Sequence, residues 1–186
     1  MALEKFTRSG EYGQIELNQV AFRRDGRIEA QCKLDATDFA DTVAENGMIL
    51  AIDQVNRTVK FPTGSDDLYA LNYSAEHMYD ERKNGLKDFY LGKEDFLPRL
   101  GYLAVGDKFT TNTIVYDDAV TSLSTVSDIK AAVTTGLYAK PCTTSGGEGY
   151  WELTTSKAVT GPVVKAVKYT IMPDGQDGIK FQVVVA

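Results

Sequence analysis

The chain has very little of what most catalytic or metal centres are built from: one histidine, two cysteines and one tryptophan. With His77 alone, a nucleophile–histidine pair can be assembled in one place only. Cys32 and Cys142 stand far apart in the chain, without the close spacing of structural zinc sites or redox motifs. The glycine–lysine pattern that cradles nucleotide phosphates is also missing. No apolar run approaches the roughly 18 residues of a membrane span, and no apolar h-region follows Met1-Ala-Leu-Glu-Lys-Phe6. The expectation is a chain made and folded in cytosol, where two reduced cysteines are at home. Cys32 reads as a small buried hydrophobe in a strand, and Cys142 falls in a loop. A Cys32–Cys142 disulfide stays open at this point.

Excess positive charge is absent too. The 20 Lys and Arg against 26 Asp and Glu leave a net charge of -6, which opposes nucleic-acid binding. The densest basic run, Arg23-Arg-Asp-Gly-Arg27, reads as a solvated hairpin tip. At 186 residues and 43% apolar composition, the chain can bury a core without disulfides or metal.

What is present is a succession of short alternating segments broken by turn residues. Residues 1–13 are polar and glycine-containing, and read as an arm ordered by a neighbour or by lying on the domain. Residues 14–22 lead into Asp25-Gly26, a dipeptide suited to a type I′ hairpin turn. The return strand would place Ile28, Ala30, Cys32 and Leu34 on one face. Residues 35–47 suggest a short helix ended by Asn46-Gly47. Residues 48–53 and 57–62 are spaced as a hairpin, and 68–73 is the next strand. Residues 74–98 form a long irregular stretch studded with aromatics, the kind of loop that carries function. Strands are expected at 100–105, 108–116, 150–155, 162–172 and 178–186, and a short helix at 126–133 with Ser127 or Asp128 near its cap. The fold class expected is mainly β: a compact β-barrel or β-sandwich with short helices, an N-terminal arm and long loops. Residues 1–46 would form the arm and a hairpin, and 47–186 the core domain.

Few residues suggest chemistry. His77 has Glu76 and Asp80 nearby, yet it reads as a surface or interface histidine. The acidic pairs Asp66-Asp67, Asp80-Glu81, Glu94-Asp95 and Asp117-Asp118 would need a deep cleft to act as a glycosidase pair. Asp174-Gly-Gln-Asp-Gly178 lacks the remaining oxygens of a calcium loop and reads as a turn. The expectation is a protein that is not an enzyme and holds no cofactor or metal. Tyrosine and phenylalanine crowd the middle third, and such rings suit interfaces. Phe6, Tyr12, His77, Tyr79, Phe89, Tyr90 and Phe96 are the interface candidates.

Several segments resemble structural proteins of tailed-bacteriophage heads. They are Gly47-Met-Ile-Leu-Ala-Ile-Asp53, Thr58-Val-Lys-Phe-Pro-Thr-Gly64 and Tyr73-Ser-Ala-Glu-His-Met-Tyr-Asp-Glu-Arg82, followed by Gly106-Asp-Lys-Phe-Thr-Thr-Asn112, Gly149-Tyr-Trp151 and Val167-Lys-Tyr-Thr-Ile-Met-Pro-Asp-Gly-Gln176. The resemblance, over about residues 47–186, is to the decoration or cement class on the outside of the capsid shell. It implies a virion structural protein that binds the outer surface of a capsid lattice and stabilises it. The implied partner is the major capsid protein, with self-association, for instance as a trimer, and no nucleic acid or membrane. The implied location is the capsid exterior, after synthesis in the host cytoplasm. The alternative is a carbohydrate- or receptor-binding β module, which needs Trp151 and tyrosines exposed as a planar patch.

Overall fold

A computed structural model describes residues 3–6, 10–66, 68–74, 89–93, 95, 97–117, 122–157 and 160–186. The elements run β1 (Glu4–Lys5), β2 (Ile15–Gln19), α1 (Phe22–Asp25), β3 (Ile28–Glu29), β4 (Lys33–Leu34), β5 (Ala44–Glu45), β6 (Ile49–Asp53) and β7 (Thr58–Lys60). They continue with β8 (Tyr69–Asn72), β9 (Tyr90–Leu91), β10 (Leu100–Gly101), β11 (Lys108–Thr111), β12 (Ile114–Tyr116), α2 (Val126–Thr135), β13 (Tyr138–Pro141), β14 (Trp151–Thr154), β15 (Val163–Ile171) and β16 (Asp177–Val185).

The protein is mainly β, as its alternating segments predict, and its sheets pack as a sandwich. The larger sheet has the order β1-β12-β14-β13-β15-β16-β11-β2, the smaller β3-β10-β8-β6-β7-β4, and β5 pairs with β9. β11 and β12 occupy the seventh and second places of the larger sheet, yet only Asn112 and Thr113 join them. Five strand spacings amount to about 24 Å in a flat sheet, whereas the link reaches about 10 Å. The sheet must therefore curl strongly, and it does so without closing into a barrel. Trp151, Phe109 and Phe181 fill the inside of the curl, with ring centroids 5.5 Å (Phe109–Trp151) and 6.4 Å (Trp151–Phe181) apart.

β6 and β8, inside the smaller sheet, are buried on both faces, so they read as continuous apolar runs. Ile49 and Leu71 face the aromatic core of the larger sheet. Leu50, Ile52 and Ala70 face a second core with Cys32, Leu34, Phe39, Phe89, Leu91 and Cys142. The hairpin of β6 and β7 forms as its spacing predicts. Asp53 closes its turn by accepting from the amides of Val55 and Asn56, both at 2.9 Å. The final hairpin of β15 and β16 also forms, with Ile179, Phe181 and Val183 wholly buried and Val185 largely outside. α2 matches its expected span, but its cap is Thr125 with Asp128 in a capping box.

Several expectations are overturned. Asp25-Gly26 makes no hairpin: residues 22–25 form the single turn α1, closed by left-handed Gly26, and β2 and β3 join different sheets. The reason is Phe22, which plugs into the core and winds the chain around itself. Its neighbour Ile28, expected inside, is exposed. Residues 35–43 form turns instead of a helix: Asp35 caps a single turn through the amides of Thr37 and Asp38, and it goes no further because Phe39 is buried and Asp38 accepts from the Phe61 amide. The expected strand 108–116 is two strands. The boundary expected at 46/47 marks no break, since β1, β2, β3 and β4 pair with β12, β11, β10 and β7.

The arm lies on the domain. β1 pairs with β12, the Phe6 amide donates to the Ile114 carbonyl at 2.9 Å, and the Phe6 ring is buried 5.9 Å from that of Tyr169. Phe6→Ala is expected to cost about 3 kcal/mol in urea denaturation. A loss below about 1 kcal/mol would mean that the arm only rests on the surface.

Candidate interaction surfaces

Where the arm meets the two sheets, a seam of buried polar groups holds three backbone segments together. Gln14, Glu45, Asn46, Asn72, Ser74, Thr111, Asn112 and Thr113 are all buried. The Gly13 amide donates to Glu45 Oε2 at 2.6 Å, and the Gln14 amide to Asn112 Oδ1 at 2.7 Å. Thr111 Oγ1 donates to the Gln14 carbonyl at 2.5 Å, and Thr113 Oγ1 to the Asn46 carbonyl. Trp151 Nε1 donates to the Gly47 carbonyl at 3.0 Å, which ties the aromatic core to the seam. Gly47 is required here. Its φ is +87°, and a Cβ would lie 2.3 Å from Thr111 Oγ1.

Glu45 does most to shape the nearby surface. Its second oxygen accepts from the Tyr150 hydroxyl, which accepts in turn from Lys5 Nζ at 3.0 Å. Tyr90 stands opposite Glu45 in the β5–β9 pair, and Tyr12 immediately precedes Gly13. One buried carboxylate thus brings the two tyrosines together, with ring centroids 4.6 Å apart. Tyr90 is 45% exposed and Tyr12 half-buried. Burial, and then the Glu11 carboxylate, push the Tyr12 hydroxyl above its ordinary pKa, so it remains a neutral donor.

Of the seven interface candidates, the structure joins Tyr12 and Tyr90 at the surface. Phe6 and Phe89 are corrections: both side chains are packed into the cores and present nothing outward. His77, Tyr79 and Phe96 lie outside the described residues, as does most of the 74–98 loop. Trp151 is wholly buried, which removes the ring that a sugar-stacking platform needed.

Carboxylates mostly serve the backbone. Asp66 accepts from the Thr63 amide at 2.6 Å and Asp95 from the Gly92 amide at 2.7 Å, while Asp117 is buried; Asp67, Glu94, Asp118 and the pair Asp80-Glu81 lie outside the described residues. A groove of about 470 Å³ gathers Asp38, Glu45 and Glu148 beside Lys5. Each of the three already accepts a backbone amide, from Phe61, Gly13 and Gly146. Hydrogen bonds to Asn56 hold Asp53 below the usual carboxylate range, and those to Thr125 do the same for Asp128. A larger groove of about 650 Å³ is lined mainly by Ile49, Leu68, Tyr69, Tyr102, Leu103 and Val185. Residues 173–176 form the turn between β15 and β16, in which Asp174 accepts from Gln176, while Asp177 and Gly178 begin β16. Among the described residues no three His, Cys, Asp or Glu side chains are placed to hold a metal ion together, and no helix is long and apolar enough to cross a membrane.

The sheet edges are blunt. β1, β3 and β4 are edge strands of two residues each, bearing Glu4, Lys5, Glu29 and Lys33. Short charged edges resist strand addition. Among the described residues, only β2, with five residues, offers a longer edge in these sheets. No protein-family model, curated protein or solved structure matches the chain.

Two outcomes follow from this geometry. Glu45→Ala removes the acceptor of the buried Gly13 amide and of the Tyr150 hydroxyl, and should cost about 3 kcal/mol. The near-UV circular dichroism of the tyrosine pair should fall with it; an unchanged spectrum would show that Glu45 does not position the rings. The two cysteines are free and buried. Burial pushes the Cys142 thiol up to about 11 and also raises that of Cys32. Neither should react with a thiol reagent at pH 8 until the chain unfolds, and two thiols titrating at once in the native protein would contradict the burial.

Proposed function

We propose that the protein is a virion structural component that binds the outer surface of a tailed-phage capsid lattice and stabilises it. The observation that carries this reading is the exposed Tyr12–Tyr90 pair, set on a rigid framework by a buried carboxylate. Tyrosines held in this way bury area with little loss of side-chain freedom, which suits a repeated contact on a lattice. The arm in its folded-back state supports the reading as well. β1 and Phe6 fasten it to the curled sheet, so the subunit reaches its partner already ordered. Three of the four edges of the two larger sheets are two-residue charged strands, which limits pairing strand to strand between free subunits, and the net charge of -6 keeps them soluble before assembly. The partner in this reading is the major capsid protein, and copies meet as neighbours on the shell. The competing carbohydrate- or receptor-binding module lacks an aromatic platform that includes Trp151.

The test is cosedimentation of the purified protein with empty expanded shells of the virus from which it comes. Wild-type protein should bind saturably, and the Tyr12→Ser/Tyr90→Ser double variant about tenfold more weakly. Absence of the wild-type protein from the shell pellet would overturn the proposal.

A further inference from the structure

The outer face of the larger sheet carries a second feature, independent of the tyrosine pair. Residues directly opposite in antiparallel strands share a face. Phe109, Phe181 and Ala166 are mutual partners and point inward, so the alternate positions point outward. One outward row runs Gln19, Lys108, Gln182, Lys165 and Tyr138 across β2, β11, β16, β15 and β13. The adjacent row runs Glu16, Thr110, Lys180 and Lys168. Four lysines therefore share one face of a protein whose net charge is -6.

Lys168 and Lys180 stand directly opposite each other, a like-charge pair that weakens the hairpin. Among the described residues none of these four lysines takes part in an ion pair, whereas Lys60 and Lys140 are matched to Asp53 and Glu152. The carboxylate of the two rows is Glu16, separated from Lys180 by Thr110 at the β2 edge. A β-bulge between Ala166 and Lys168 brings Lys168 into register with Lys180 and leaves Val167 exposed at 45%. Left alone, this arrangement is a cost to the free protein. It is explained by charge held ready for a partner.

We infer that this convex lysine face is a docking surface for a carboxylate-rich protein partner. Its dimensions suit that class: five strands span about 19 Å and the long hairpin about 30 Å, roughly one side of a standard protein interface. The lysines, interleaved with Gln19, Gln182 and Tyr138 over the buried Thr110, make a mixed polar surface with an aliphatic contact at Val167. A nucleic acid would meet repulsion from the rest of the molecule. Residues 1–96 hold 18 of the 26 acids but only 12 of the 20 bases. The inference requires neither a capsid partner nor the tyrosine pair, and it stands or falls separately from them.

The test measures binding of a short poly-L-glutamate peptide to the full chain, beside duplex DNA and phosphatidylserine-containing vesicles. The peptide should bind with an affinity that falls as salt rises, and about tenfold more weakly to the Lys165→Glu/Lys168→Glu/Lys180→Glu variant. The Lys33→Glu variant, altered in the smaller sheet, should bind as the wild type does. Lys168→Glu alone should raise Tm by about 1–3 °C, by turning repulsion with Lys180 into attraction. Equal peptide binding by the triple variant would overturn the inference. So would binding of DNA or vesicles alone, no binding at all, or an unchanged Tm in Lys168→Glu.

Discussion

The structure depends on one buried polar seam. Strands from both sheets and the N-terminal arm converge where residues 13–14, 45–47 and 111–113 meet, and backbone groups there cannot reach water. A buried amide or carbonyl without a partner costs about 1–3 kcal/mol, so these groups are matched by other backbone groups, as the Gly47 N–H is by the Asn72 carbonyl, or by side chains of the right length. Thr111, Asn112 and Thr113 supply those groups at the two-residue link that lets the large sheet curl. The curl places Trp151 against Phe109 and Phe181, and the indole nitrogen returns a hydrogen bond to Gly47. Polar seam and aromatic core are therefore one construction: loosening either releases the other.

This has a consequence for the surface. Glu45 sits in the seam, yet the result of its hydrogen bonds appears outside, as two tyrosines fixed against each other. A dense network of buried hydrogen bonds rigidifies what it touches. An arm that would be mobile on polar composition alone becomes an edge strand and a surface anchor. The lysine face is different in kind. It gains nothing from the seam, and its repulsive pair is tolerated because the hairpin beneath it is held by Ile179, Phe181 and Val183.

The hairpins of β6–β7 and β15–β16, and the helix at residues 126–135, were legible because local alternation and capping chemistry agree with the tertiary contacts there. The turn at Asp25-Gly26 was not, because burial of Phe22 overrode a local turn preference. At residues 35–43 Asp35 caps one turn, but Asp38 and Phe39 are held by Phe61 across the fold and the helix does not propagate. The single strand expected over residues 108–116 had to be two, since a strand cannot pair in two distant places without a break. Tyr12 and Tyr90 could be named from composition; that they touch could not, because Glu45 joins them across the fold. The lysine rows were hidden for a similar reason. Lys168 reaches Lys180 only through a bulge, and the alternation of β16 alone shows just one side of the pair.

The central claim is that the seam makes arm and sheets a single cooperative unit. Native-state hydrogen exchange of the amides of Gly13, Gln14, Gly47 and Trp151 tests it directly. The account predicts that all four exchange only with global unfolding and share one protection free energy. Rapid exchange at Gly13 and Gln14, with Trp151 still protected, would show that the arm opens separately and would contradict it.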